Sequence, residues 1–167
     1  MIPTSMEQPR LLADAMLGGL VRWLRVLDCD TAYDPALSDA ELVALAARDS
    51  RTLLTRDRHL LTFLRPQSAL RISHDAPLEQ LRQVVEACVI EPPSALFRRC
   101  LVCNSPLQQA SEEQAAKAPP SARAFAEPMR HCPGCGRLYW LGSHTRRMRS
   151  ILIQAFPEWT ALRRDGP

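Results

Sequence analysis

The segment Arg10-Leu11-Leu12-Ala13-Asp14 (RLLAD) is a short apolar run ending in an acid, and it reads as a buried strand. After it, Leu17, Leu20, Val21, Leu24 and Leu27 recur at helical spacing, with Arg22 and Arg25 on the opposite face. Cys29 to Tyr33 is a second strand candidate, closed by Asp34-Pro35. Ser38 and Glu41 have the spacing of a capping box, and Leu42, Val43, Leu45 and Ala46 supply the buried face of the helix it opens. Arg51 to Thr55 (RTLLT) is a third strand, Asp57 to Leu64 a turn or two of helix, and Ala69 to Ser73 a fourth strand. Pro77 to Val89 is an amphipathic helix with proline in its first turn. Strands alternating with helices predict an α/β domain with a mainly parallel sheet over residues 8–90.

Glu91-Pro92-Pro93-Ser94 has the composition of a linker. Beyond it stand two Cys-x-x-Cys pairs, Cys100 with Cys103 and Cys132 with Cys135. Four thiolates can close a tetrahedron around Zn²⁺, a d¹⁰ ion with no geometric preference of its own, and such a site is structural because no position is left for water. The 28 residues between Cys103 and Cys132 exceed the usual spacing of about 15–20. The excess falls in Gln108 to Pro128, rich in Ala, Gln, Glu and Pro, which is expected to be a floppy insertion or one short helix. Ser143 is expected to cap a last basic helix running to Phe156, so that residues 97–156 form a small zinc ribbon with a C-terminal helix. Cys29 and Cys88 lie in apolar contexts, as buried bystander thiols do.

The chain has 167 residues, 46% of them hydrophobic, and no run near the roughly 18 apolar residues of a membrane span. Without a signal-peptide core at the N-terminus, the expected location is the cytoplasm, where thiols stay reduced and bind metal rather than pair. The net charge of +3 is mild, and Lys117 is the single lysine. The positive charge is therefore arginine, whose planar fork suits phosphate contacts, although a compositional preference for Arg over Lys accounts for it equally well.

In parallel sheets, functional groups gather at the carboxyl ends of strands. Asp14 ends the first strand, Asp34 follows the second, Asp57 follows the third, and Asp39 lies in the first turn of the capped helix. Carboxylates brought together in this way need a hard cation such as Mg²⁺ or Mn²⁺, which can orient a water and stabilise a phosphodiester under in-line attack. Simpler roles stand beside that one. Asp39 suits a helix N-terminus, Asp57 can cap the helix after it, and Asp34 before Pro35 is ordinary turn chemistry. Glu41 is accounted for by its capping box. Asp14 is hardest to explain simply, because an acid ending a buried strand needs a partner. A haloacid-dehalogenase-type phosphatase is disfavoured because Met16 stands where its second Asp belongs, and no P-loop or dinucleotide glycine fingerprint is present.

The strings LLADAMLGGLVRWLRVLDCDTAYD and SDAELVALAARDSRTLLTRDRHLL, with the cysteine pairs ending in HCPGCGRLYWLGSH, resemble the Mut-seven C-terminal RNase family over about residues 10–152. The resemblance implies a PIN-like three-layer nuclease domain followed by a zinc ribbon, and RNA as substrate. It implies that Asp14, Asp39 and Asp57 bind catalytic Mg²⁺ or Mn²⁺, with Asp34 a possible further acid, and that the four cysteines are the ribbon ligands. Arg22, Arg25, Arg56, Arg146 and Arg147, with Arg149 beside them, are candidate phosphate contacts. Asp28 stands where such sequences tend to have Gly, and Asp tolerates the left-handed conformation that a helix terminus asks for. The main alternative is a non-catalytic RNA- or ribosome-binding protein that keeps the fold; a toxin-type PIN nuclease is a further one.

Overall fold

The computed structural model describes residues 8–123 and 128–164, and it divides after Glu91 into two compact units. The first unit is built on β1 (Leu11–Ala13), β2 (Thr31–Tyr33), β3 (Thr52–Thr55) and β4 (Ala69–Arg71). All pair in parallel, in the order β2-β1-β3-β4. Helix α1 (Gly18–Val26) connects β1 to β2, α2 (Asp39–Arg48) connects β2 to β3, and α3 (Pro77–Ala87) follows β4. A π-helical turn, Leu60–Leu64, connects β3 to β4. Helices α1 and α3 pack on each other, and α2 packs on the π turn. Right-handed crossovers running in opposite directions from β1 put these two pairs on opposite faces of the sheet, giving three layers.

Strand β1 is central and wholly apolar because both its faces are covered: Leu11, Leu12 and Ala13 are all 0% exposed. Successive side chains point to opposite faces. Leu12 and Leu53 meet Leu42 and Ala46 of α2 and Leu60 of the π turn. Burying each leucine contributes about 1.5–3 kcal/mol. Glycines at 18 and 19 have a packing reason: added Cβ atoms would lie 3.0 Å from the Tyr33 hydroxyl and 3.0 Å from Pro77 Cγ respectively.

The amino ends of the strands are tied together by charge. Arg51, buried, donates to the Leu11 carbonyl at 3.0 Å and grips the Asp30 carboxylate at 2.9 and 3.2 Å. Three helices end on residues with positive φ that are not glycine: Asp28 (65°) after α1, Ser50 (50°) after α2 and Val89 (52°) after α3. Each end is closed by a bond from the next amide to a carbonyl five residues back: Cys29 to Leu24, Arg51 to Ala46 and Ile90 to Val85. Asp28 thus adopts the expected left-handed conformation.

The second unit carries a three-stranded antiparallel sheet of β5 (Gln108–Gln109), β6 (Arg130–His131) and β7 (Leu138–Tyr139). Of Gln108 to Pro128, expected to be a floppy insertion or one short helix, residues 124–127 lie outside the described residues; the part up to Arg123 carries β5 and two short helices, α4 (Glu112–Ala116) and α5 (Pro120–Arg123). The physical reason is a small apolar cluster: Ala118, Ala122 and Met129 are buried, with Ala110, Ala115, Leu138 and Trp140 packed on them. A capping box, Ser111 with Gln114, starts α4. Ser143 is the first residue of α6 (Ser143–Ala155) rather than its cap, which is Gly142. The tail folds back on α6: Phe156 and Trp159 stack at 4.3 Å, and Arg149 donates to the Leu162 carbonyl at 2.7 and 3.0 Å, with Leu162 in α7 (Ala161–Arg164). Among the described residues no helix is long and apolar enough to cross a membrane.

Candidate functional sites

From β1 the chain crosses to β2 on one side, then returns to β3 on the other. The switch point therefore lies between β1 and β3 at the carboxyl edge, the position at which open α/β sheets bind their ligands. Asp14 stands at it. Its backbone amide continues the ladder to the Leu54 carbonyl at 3.0 Å, and its side chain turns back to accept from Met16 N at 2.9 Å, capping the 3-10 turn Ala15–Leu17. The other carboxylate oxygen accepts from Thr55 Oγ1 at 2.5 Å. The same hydroxyl accepts from the Asp57 amide at 3.0 Å, so one buried threonine links Asp14 to the backbone of Asp57. Asp57 Oδ1 in turn accepts from the amides of His59 (2.7 Å) and Leu60 (3.3 Å) and caps the helical turn that follows.

Asp14 is 7% exposed and accepts from a hydroxyl and an amide, and among the described residues no Lys or Arg is in ion-pair contact with it. A buried carboxylate without a counter-charge favours a bound cation. Asp34 is level with Asp14, one strand away, because Ala13 pairs with Tyr33. It is exposed, and its side chain accepts from Ala36 N at 3.0 Å in a turn. Asp39 is exposed in the first turn of α2, behind the capping box of Ser38 and Glu41. The edge thus collects the acids but does not draw three of them into one ligand shell. Among the described residues, the cysteine cluster is the group of three or more candidate ligands whose atoms all lie within 4.8 Å of one another.

Of the candidate phosphate contacts in the first unit, Arg22 is exposed on α1. Arg25 is 3% exposed and donates to the Thr31 carbonyl through Nε (3.1 Å) and Nη2 (2.9 Å). This corrects the expectation for Arg25: its guanidinium closes α1 onto β2 and is withheld from solvent. Arg56 pairs with Asp75 across the carboxyl edge. In the second unit, Arg146 and Arg147 are exposed on α6. Arg149 is committed to the Leu162 carbonyl instead, which corrects its place in that basic path.

The cysteine site consists of two matching knuckles. In each, the second cysteine's amide donates to the first cysteine's sulfur at 3.4 Å: Cys103 to Cys100, and Cys135 to Cys132. In each, the next residue is left-handed, Asn104 at φ 70° and Gly136 at φ 73°. Asn and Gly are the residue types that enter this conformation most readily. The amides of Cys100 and Cys132 then reach the carbonyls of Ser105 and Arg137 at 2.8 and 2.9 Å. Across the knuckles Cys103 Sγ lies 3.3 Å from Cys132 Sγ, and Cys100 Sγ 3.6 Å from Cys135 Sγ. A tetrahedron with Zn–S bonds of about 2.3 Å has sulfurs about 3.8 Å apart. The donor set and its spacing fit zinc.

Two neighbours of this cluster were not foreseen. The Tyr139 hydroxyl lies 3.1 Å from Cys100 Sγ, and the Ser105 hydroxyl 3.4 Å from Cys103 Sγ. Burial works against ionising these thiols. It is outweighed at Cys103 by the Ser105 side chain and amide, which bring that thiol down to about 6. At Cys132 burial prevails and pushes the thiol up to about 12. Burial and the adjoining Cys100 sulfur raise Tyr139. Outside the cluster, Cys29 is fully buried and Cys88 half-buried, with burial raising the Cys88 thiol. Cys29 is the buried thiol its apolar context predicts, whereas Cys88 is only partly buried.

Fold and sites together define a parallel α/β domain with an acid at its switch point, joined in one chain to a four-thiol metal module. No curated protein and no solved structure matches the chain. The family model described as the Mut7-C RNAse domain matches residues 9–152, and the chain belongs to that family. The family's name points to a nuclease.

Proposed function

We propose that the protein is a metal-dependent ribonuclease whose reaction centre lies at the carboxyl edge between β1 and β3. The observation that carries this reading is Asp14, a nearly buried carboxylate at the topological switch point that has no cationic partner among the described residues. In this reading Asp14, Asp39 and Asp57, which share the edge without forming one ligand shell in the absence of an ion, would hold Mg²⁺ or Mn²⁺, with Asp34 as a further acid at the same edge. The cation, when bound, supplies an activated water and stabilises the leaving oxygen of the phosphodiester. Thr55 holds the Asp14 carboxylate and the Asp57 backbone in fixed relation, so the two acids present a preformed edge. Arg22 and Arg56 supply phosphate contacts in the first unit, and Arg146 and Arg147 in the second. Zinc on Cys100, Cys103, Cys132 and Cys135 is structural, and its binding stabilises the second unit.

A second reading is an RNA-binding protein that keeps the fold without cleaving. It is favoured by one observation: Asp57 already caps the turn beginning at His59, so the fold alone accounts for an aspartate there. One assay separates the two. Purified protein and its Asp14→Asn variant are incubated with single-stranded and structured RNA, with Mn²⁺, Mg²⁺ or EDTA. Asn can still accept from Met16 N, so the turn is retained while the charge is lost. Cleavage that needs divalent metal and disappears in the variant supports the ribonuclease. RNA binding without cleavage under any divalent ion, equal in both proteins, assigns the second reading.

A further inference from the structure

The π-helical turn beside the acidic edge carries an aromatic pair that neither fold nor metal site explains. Its inner side is anchored by Leu60, 0% exposed among Leu12, Leu42, Ala46 and Leu53. Its outer side presents His59 and Phe63, with ring centroids 4.2 Å apart and planes inclined at 35°. Phe63 is 68% exposed and Leu64 beside it 41%. The wide π turn is rare in proteins and concentrates at functional sites. It is closed by Arg65 in the left-handed conformation at φ 47°.

The pair has a defined relation to the acids. The amide of His59 donates to the Asp57 carboxylate at 2.7 Å, so the aromatic shelf begins at the residue next but one to a candidate metal ligand. The flanks are cationic: Arg58 and Arg65 are exposed on either side of the rings, while Arg56 is already paired with Asp75. Two exposed arginines within eight residues give a local positive field around two solvent-facing rings. A polyanion with flat apolar faces satisfies both features, because backbone phosphates meet the arginines while a base stacks on the rings. In a duplex the base faces are covered by their neighbours, so the shelf selects an unpaired strand.

We propose that His59 and Phe63 form a base-stacking shelf that positions a nucleotide of single-stranded RNA beside Asp57. The proposal rests on the ribonuclease reading for its substrate class and deepens it, since it names unpaired RNA as what the edge receives. Phe63 is a positioning residue and takes no part in bond cleavage.

The test measures binding separately from cleavage. Fluorescence anisotropy in EDTA follows a labelled single-stranded oligoribonucleotide and a matched hairpin with the full protein and with Phe63→Ala and Phe63→Trp. Stacking on one base gives a loss of roughly 5- to 150-fold in single-strand affinity for Phe63→Ala. Phe63→Trp retains the affinity, and hairpin binding is the same in all three proteins. If the protein cleaves RNA, Phe63→Ala raises KM for the single strand and leaves kcat within about twofold. Retained zinc content and circular dichroism show that Phe63→Ala is folded, as its exposure predicts. Single-strand affinity unchanged in Phe63→Ala, no single-strand binding by the parent, or equal losses on strand and hairpin would each overturn the shelf. A dimer of the parent that Phe63→Ala abolishes, with RNA binding unaffected, would assign these rings to a protein contact and also overturn it. If no metal supports cleavage but the binding differences hold, the nuclease reading falls and the shelf stands.

Discussion

Replacing Thr55 with valine tests the link between the two acids at the switch point. The side chain is fully buried, and its hydroxyl does two jobs: it donates to Asp14 Oδ2 at 2.5 Å and accepts from Asp57 N at 3.0 Å. Valine has nearly the same shape, so no cavity forms, but both partners are left unsatisfied. The bond to the ionised carboxylate contributes about 1.5–3 kcal/mol and the neutral one about 0.5–1.5 kcal/mol. The added buried methyl returns about 1 kcal/mol. The net expectation is a loss of about 1–3 kcal/mol. Thr55→Ser keeps the hydroxyl and loses only a methyl, at about 1 kcal/mol with its small void. The hydroxyl therefore places the serine variant at or above the valine variant in stability, and only the valine variant should lose metal-dependent cleavage. Native-state hydrogen exchange at Leu12, Leu53 and Leu54 measures the stability of the strands, and cleavage in Mn²⁺ measures the site. Valine more stable than serine, or valine with full cleavage, would refute the bridging role of Thr55.

Three other outcomes follow from the structure. The isolated protein holds one zinc per chain by elemental analysis, and a strong chelator unfolds the second unit, seen as lost exchange protection at β6 and β7 while β1 and β3 stay protected. The Glu41 carboxyl is held below its ordinary 4.5 by the Ser38 hydroxyl and amide. Because the folded value is depressed, the capping box stabilises α2 fully above about 4.5 and is lost as pH falls through the lowered folded value; an NMR titration of the Ser38 amide reads the transition. Val89 is β-branched, 68% exposed and at φ 52°, so Val89→Gly relieves about 1 kcal/mol of left-handed strain and raises the melting temperature, measured by calorimetry.

Much of the fold was legible in short local signals. Short apolar runs such as LLA and TLLT, too brief for helices and bounded by polar residues, suit buried strands in a sheet covered on both faces, and β1 and β3 are those runs. The Ser38–Glu41 box and the proline at position 77 mark helix starts because they act within one turn. The four-thiol cluster was legible for the same reason: a knuckle is a local backbone shape, set by two cysteines and a left-handed Asn104 or Gly136. The 108–123 segment was not legible, because its short helices are held by a shared cluster with Met129, Leu138 and Trp140, distant in sequence, rather than by their own periodicity. Likewise, no local pattern announces that Tyr139 reaches Cys100, or that the tail stacks Trp159 on Phe156.

Sequence alone thus sufficed for the element order, the parallel α/β class and the four thiols, all properties carried by neighbouring residues. Strand order needed the tertiary structure, and strand order is what distinguishes the acids. Asp14, Asp34 and Asp57 look alike as residues that follow strands. Placing β1 between β2 and β3 puts Asp14, Thr55 and Asp57 together at the switch point and leaves Asp34 one strand away in its own turn. Arg22 and Arg25 look alike on one helix, yet the packing of α1 onto β2 buries Arg25 and leaves Arg22 exposed. The physical reason is the same in both cases. Burial and convergence depend on which elements become neighbours, and that is set by the summed packing of the whole core rather than by any segment of it.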